Sequence, residues 1–113
     1  MKRGEIWTAA GGPDYAAKPR PVVVVQDDRF DATASITICA FTTDPTDAPI
    51  FRLAVDPTER NGLRQPSRLM VDKITTVAKT KLRSQVGLLD EEDLVRLNRA
   101  MIVFLGLAGG APA

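Results

Sequence analysis

Lys18-Pro19-Arg20-Pro21-Val22-Val23-Val24-Val25-Gln26 is the stretch that decides the fold of this chain. Successive side chains of a strand leave opposite faces, so the unbroken branched run Val22 to Val25 is expected where both faces are covered. Such a strand lies inside a sheet, and the rest of the chain must supply its neighbours and its covers. Pro19 and Pro21 fix their own φ angles and push the residue before each into extended backbone. Arg20 is therefore held with little freedom at the start of the strand, its side chain on the side of Val22 and Val24. A guanidinium so mounted is costly to bury and easy to aim, which suits a phosphate taken by paired N–H donors. An arginine that simply reaches solvent, beside prolines that protect a strand end, fits the same residues.

The flanking sequence supplies the neighbours. Gly4 to Thr8 reads as a first strand, and Ala10-Gly11-Gly12-Pro13-Asp14 opens a loop that runs to Lys18. Ile36 to Phe41 is a further strand, followed by a loop from Thr42 to Pro49 rich in Asp, Thr and Pro. Phe51, Leu53 and Val55 alternate with Arg52 and Ala54, as in a half-buried strand, and Asn61-Gly62 marks a turn. Ser67 to Val77 is a long strand candidate whose alternation is disturbed at Asp72-Lys73. Lys79 to Arg83 reads as a short turn or helix, and Gln85 to Leu88 as a last strand. Asp90 is placed to cap a helix whose first turn, Glu91-Glu92-Asp93, suits the positive end of the dipole. Leu94, Leu97, Met101 and Phe104 form its apolar stripe, Glu92 and Arg96 can pair, and Gly106 can stop it. Short strands followed by one helix predict a mainly β fold, a small, strongly bent sheet or barrel with the helix packed against it.

Composition narrows the chemistry. At 113 residues the chain is the size of one domain, expected over 1–108 with a short tail at 109–113. The absence of histidine excludes His-based triads, His-ligated metal sites and a histidine acid–base pair. The single cysteine, Cys39, rules out an internal disulfide, fits a reducing cytoplasm and is expected to be buried and inert. No apolar run follows the basic N-terminal residues, and Met101 to Leu105 is far too short to cross a bilayer. Net charge is +1, yet the charges are segregated. From Arg60 to Arg83 seven cations face Asp72 alone, whereas Asp27, Asp28, Asp31, Asp44, Asp47 and Asp56 weight the preceding stretch towards acid. The basic stretch could form one phosphate-binding surface or be scattered over several faces. Asp27, Asp28 and Asp31 together read as solvated loop acids rather than a magnesium site.

Three motifs in order, Arg3-Gly4-Glu5-Ile6-Trp7, Arg20-Pro21-Val22-Val23-Val24-Val25-Gln26 and Ile36-Thr37-Ile38-Cys39-Ala40-Phe41-Thr42, resemble the opening of the MazF/PemK (Kid) toxin family. The closing helix, ending Met101-Ile102-Val103-Phe104-Leu105-Gly106-Leu107, is similar to that family's last helix. The resemblance implies an SH3-like small barrel of the MazF/PemK/CcdB kind, with a C-terminal helix, acting as a cytoplasmic homodimer. It implies the toxin of a type II toxin–antitoxin system: a metal-independent, cofactor-free, sequence-selective endoribonuclease for single-stranded RNA, restrained by a cognate antitoxin. The family's catalytic arginine falls on Arg20, its threonine on Thr42 and its fifth-strand acid on Asp72. Lys18, Arg64, Arg68, Lys73 and Thr75 are the expected RNA contacts, and Tyr15 lies in the loop that borders the family's RNA groove.

The chain departs from the family in Asp72-Lys73-Ile74-Thr75-Thr76, where Lys73 replaces a frequent glutamine and Thr75 a frequent arginine. Lys73 keeps a donor; for Thr75, Arg68 or Arg64 could supply the missing cation. An RNA 2′-hydroxyl can attack its own phosphorus, so the protein need only align it, stabilise phosphoryl charge and help protons move. Arg20 suits the stabilising role and Thr42 can donate to a phosphate oxygen. Asp72 could act as base or orient Lys73 or an arginine, although an exposed strand aspartate with no such role is the simpler expectation. A CcdB-like toxin that poisons DNA gyrase through the end of its C-terminal helix is the alternative on the same barrel, and a purely structural homologue is a third.

Overall fold

The computed structural model describes residues 1–10, 19–107 and 109; the loop carrying Tyr15 and Lys18 lies outside the described residues. Alternating and continuous apolar runs become seven strands: β1 (Glu5–Ala9), β2 (Arg20–Val24), β3 (Ser35–Thr42), β4 (Arg52–Val55), β5 (Ser67–Met70), β6 (Thr75–Ala78) and β7 (Leu82–Leu88). The helix α1 (Glu91–Phe104) follows. All described ladders are antiparallel, in the order β4-β5-β3-β2-β1-β7, with β6 also on β3. β3 is long enough to branch the sheet: Ser35 to Ile38 pair with β6, whereas Phe41 and Thr42 pair with β5.

β2 is central and covered on both sides, as its valine run requires. Val23 joins one core with Ile6, Cys39, Phe41, Leu53, Val55, Leu69 and, from α1, Leu97 and Ala100. Val22 and Val24 belong to a second, smaller core on the opposite face with Ile36, Ile38 and Leu82, edged by Trp7 and Val77. At about 1.5–3 kcal/mol for each large apolar side chain fully buried, the first core carries most of the fold. Trp7 accordingly packs in the second core, as expected of a strand residue, with its indole N–H donating to Glu5 Oε1 at 3.0 Å.

Four sequence expectations change in detail. The candidate strand from Ser67 to Val77 is two strands, split by a 3₁₀ turn at Val71–Lys73 where the alternation was disturbed. On α1 the buried centre is Leu97 and Ala100, while Phe104 is exposed, its ring beside that of Phe51 with centroids 6.0 Å apart. Arg96 pairs with Asp93 at 2.8 Å rather than Glu92, because it also donates to the Ala54 carbonyl on β4. Asp90 occupies the N-cap position, but its carboxylate is taken by the Thr58 hydroxyl at 2.7 Å. Gly106, at φ +73°, ends the helix as expected; Gly106 N and Leu107 N return to the carbonyls of Val103 and Ile102.

The sheet is bent but not a closed barrel: among the described residues no ladder joins β4 to β7. The loop between β4 and β5 fills that gap instead, with Leu88 N donating to the Arg60 carbonyl at 2.9 Å. Asn61 plugs this loop, wholly buried. Its Oδ1 accepts from Thr58 N and Leu63 N, and its Nδ2 donates to the Asp56 carbonyl, all within 3.0 Å. The plug presses so closely on β7 that a Cβ at Gly87 would lie 2.5 Å from the Arg60 carbonyl oxygen. Asn61→Ala strands three backbone groups in the interior and is expected to lower stability by about 2–3 kcal/mol. Urea unfolding of the two proteins measures the loss, with a drop below about 0.5 kcal/mol contradicting the plug role.

Candidate active site

The site assembles where β2 and β3 part. Val22, Val23 and Val24 pair with Ala40, Cys39 and Ile38, and Val25 N donates to the Thr37 carbonyl at 3.0 Å. Donors towards β3 therefore recur at every second residue of β2, at Val25, Val23 and then Pro21, which has no N–H to give. The ladder stops there. One residue further, on the face of Val22 and Val24, Arg20 and Thr42 end their strands, with Arg20 exposed and Thr42 half-buried.

Neighbouring registers extend this row. Ala9 of β1 lies opposite Arg20, Arg68 of β5 opposite Thr42, and Ala54 of β4 opposite Arg68. Thr42 thus has Arg68 directly opposite on β5, and the β2–β3 register, carried past its last pair Val22–Ala40, puts Arg20 towards its other side. The Thr42 hydroxyl accepts a hydrogen bond from Asp44 N at 3.1 Å. That bond occupies one lone pair and leaves the hydroxyl proton free to be given away, and acceptance on one side strengthens donation on the other. Two guanidiniums around one hydroxyl donor make a receptor for an anion with several oxygens, and alanines at both ends of the row leave room above it.

The other expected residues separate. Thr75 pairs with Ile38, on the same face but four residues down β3 from Thr42, roughly 14 Å away. Arg64 lies on the opposite face, lining a cleft of about 740 Å³ with Thr8, Pro21, Thr43, Ser67 and Ser84. Of the two candidates to replace the cation absent at Thr75, the register favours Arg68. Lys73 is exposed beside Asp72, and Lys18 lies outside the described residues.

Asp72 is not the exposed strand aspartate expected. It sits in the 3₁₀ turn and takes Arg52 side-on, Nε to Oδ1 at 2.7 Å and Nη2 to Oδ2 at 3.0 Å. The side chains keep only 13% and 23% of their exposure. The Arg52 hydrogen bonds hold the Asp72 carboxyl below its usual range, so it is ionised and a poor base at neutral pH. Arg52 escaped notice as a strand residue in simple alternation; the signal lay in its pairing with the lone acid of the basic stretch.

The loop acids each have their own partner. Asp31 takes Lys79 at 3.0 Å and the N-terminal amine at 3.5 Å, Asp27 takes Arg29 at 3.1 Å, and Asp28 accepts from Arg3 N at 2.6 Å. Burial, aided by the Asp72 charge, pushes the Cys39 thiol up to about 12, which makes it inert as expected.

A bent antiparallel sheet with one covering helix, and a row of arginine and threonine able to take an anion on its other face, defines the chain as a small, mainly β domain. Within that class this chain belongs to the PemK-like, MazF-like toxins of type II toxin–antitoxin systems, whose family model matches residues 2–105. It is 55% identical over 109 residues, 96% of this chain and 100% of the other, to "Probable endoribonuclease MazF" of Mycolicibacterium smegmatis. Its fold is similar to Mycobacterium tuberculosis toxin MazF-mt6, with a TM-score of 0.76 and 25% identity over 90% of this chain and 96% of that one. A mycobacterial endoribonuclease in complex with its cognate antitoxin superimposes with a TM-score of 0.78 over 99% of both chains at 23% identity, a likeness of fold. Among the described residues no helix is long and apolar enough to cross a membrane.

The Arg52–Asp72 pair has a pH signature. A carboxyl whose pKa is lowered in the folded state adds stability that is present above its ordinary value of 3.8 and lost as pH falls through the lowered native value. An NMR titration of the Asp72 side-chain carboxyl carbon should show a midpoint below 3.8 that climbs back in Arg52→Ala. A midpoint unmoved by that substitution would mean that the pair does not persist in solution.

Proposed function

We propose that this protein is the toxin of a type II toxin–antitoxin system, a metal-independent endoribonuclease that cuts single-stranded RNA at selected sequences. The observation that carries this reading is the row Arg20, Thr42 and Arg68 on the face that α1 leaves open, with Thr42 Oγ1 bound by Asp44 N. In the reaction the RNA 2′-oxygen bonds to the adjacent phosphorus and the bond to the 5′-oxygen breaks, leaving a 2′,3′-cyclic phosphate and a 5′-hydroxyl. Arg20 stabilises the charge that grows on the phosphoryl oxygens, Thr42 donates to one of them, and Arg68 adds the second cation. Water exchanges the protons at this exposed strand end, because Asp72 is committed to Arg52.

The single domain over 1–108 works as a cytoplasmic homodimer, with an antitoxin as its protein partner. An acidic antitoxin segment laid along Arg20 and Arg68 would exclude RNA by occupying the same charges. The gyrase-poisoning reading is not favoured: the family match is to PemK and MazF toxins, and the receptor sits at Arg20 and Thr42 rather than at the end of α1.

Purified protein incubated with a long mixed-sequence RNA in excess chelator should give fragments ending in 2′,3′-cyclic phosphate. Arg20→Ala should lower kcat by roughly 10²–10³. Equal cutting by Arg20→Ala would overturn the site, and growth arrest that survives Arg20→Ala but vanishes on removing residues 105–113 would favour the gyrase reading.

A further inference from the structure

We infer that Arg52 binds the RNA phosphate neighbouring the one that is cut, and that Asp72 is the positioning residue that aims it rather than a base. The inference deepens the endoribonuclease reading and rests on it. Arg52 and Asp72 are 20 residues apart and tie β4 to the turn after β5. Lys79–Asp31 also joins distant residues, but its carboxylate is shared with the N-terminal amine, and the pairs Arg29–Asp27 and Arg96–Asp93 join close neighbours in sequence. A largely covered ion pair is a poor way to stabilise a fold, because desolvation offsets most of the attraction and two apolar side chains would serve as well. Stability alone therefore gives no reason for these two charges.

Their placement gives one. Arg52 lies opposite Met70, one two-residue step from the Ala54–Arg68–Thr42 row and on the same face. Two strand spacings and one step of the pleat set it roughly 12 Å from Thr42. With its guanidinium tied to Asp72, in the turn that follows Met70, Arg52 is placed to meet the phosphate of an adjacent nucleotide rather than the one at Thr42. The side-on contact with Asp72 uses two of the five guanidinium N–H donors and fixes the plane of the rest, leaving a preset fork for a second anion. The Asp44 carboxylate, held low chiefly by its bonds to Thr46, also feels Arg52 and Arg68, so the two cations act on one region of the surface. Arg20, Thr42, Arg68 and Arg52 then mark a track across β2, β3, β5 and β4 that a single strand of RNA can follow.

The test measures binding apart from cleavage. The probe is a short single-stranded RNA that carries the mapped cleavage site with a 2′-deoxy sugar at the attacking position, followed by fluorescence anisotropy over a salt series. Arg52→Gln should weaken binding roughly tenfold and flatten the slope of log K against log salt by about 0.7. On cleavable RNA its KM should rise while kcat stays within about twofold. Asp72→Asn should weaken binding in the same direction, and Arg52→Gln with Asp72→Asn should be no worse than Arg52→Gln alone. Arg52→Met with Asp72→Leu keeps the packing without the charges; folded as judged by thermal unfolding, it should still bind weakly.

An unchanged Kd and salt slope in Arg52→Gln would overturn the phosphate contact. Tighter binding by Asp72→Asn, or a collapse of kcat with a shifted pH–rate profile at unchanged Kd, would overturn the positioning role. Wild-type affinity in the Met–Leu variant would reduce the pair to packing. Failure of the parent reading looks different: wild type would leave RNA intact, or Arg20→Ala would cut as well as wild type.

Discussion

One missing hydrogen bond organises this molecule. β2 is held on both sides by ladders and on both faces by apolar cores until Pro21, where the donor that β3 needs does not exist. A central strand can tolerate that loss only at its end, and the end is where Arg20 stands. The proline thus parts two strands that are locked together from Val22 to Val25 and exposes a pair of side chains whose spacing the locked part still dictates. Rigidity below and opening above are what an anion receptor needs, since its donors must be fixed before the charge arrives.

The two faces of the sheet divide the labour. α1, β4 and β5 close the larger core around Phe41, Leu69 and Leu97, and the Asn61 loop stops the gap towards β7. The other face has a smaller core and, among the described residues, no helix over it, and its end carries Arg20, Thr42 and Arg68. Cations placed at that end avoid the desolvation cost that the larger core would impose. Arg52 is the intermediate case, partly covered and therefore matched to Asp72.

Much of this was legible in the sequence because it follows from local rules. The valine run announced a doubly covered strand, the prolines announced a stiff Arg20, and the disturbed alternation at Asp72-Lys73 announced the break that separates β5 from β6. What was hidden depends on register between strands far apart in the chain. Nothing local says that Thr42 faces Arg68 and not Arg64, or that Thr75 is set far down β3. The Arg52–Asp72 pair was hidden for the same reason, as was the use of Asp90 by Thr58 instead of by its own helix. The expected fold holds, but its sheet stays open at the seam because a buried asparagine in a loop does the work of a strand pair, and periodicity carries no trace of that.

Cys39 gains a use from its position. It is the only thiol in the chain, it is fully buried on β3, and its ladder partner is Val23 of β2. A reagent that alkylates thiolates can reach it only when the larger core around it opens, and its raised pKa keeps the closed state silent. The molecule therefore carries an internal clock on the ladder that aligns Arg20 with Thr42. The rate at which Cys39 becomes labelled counts how often the core behind that ladder opens.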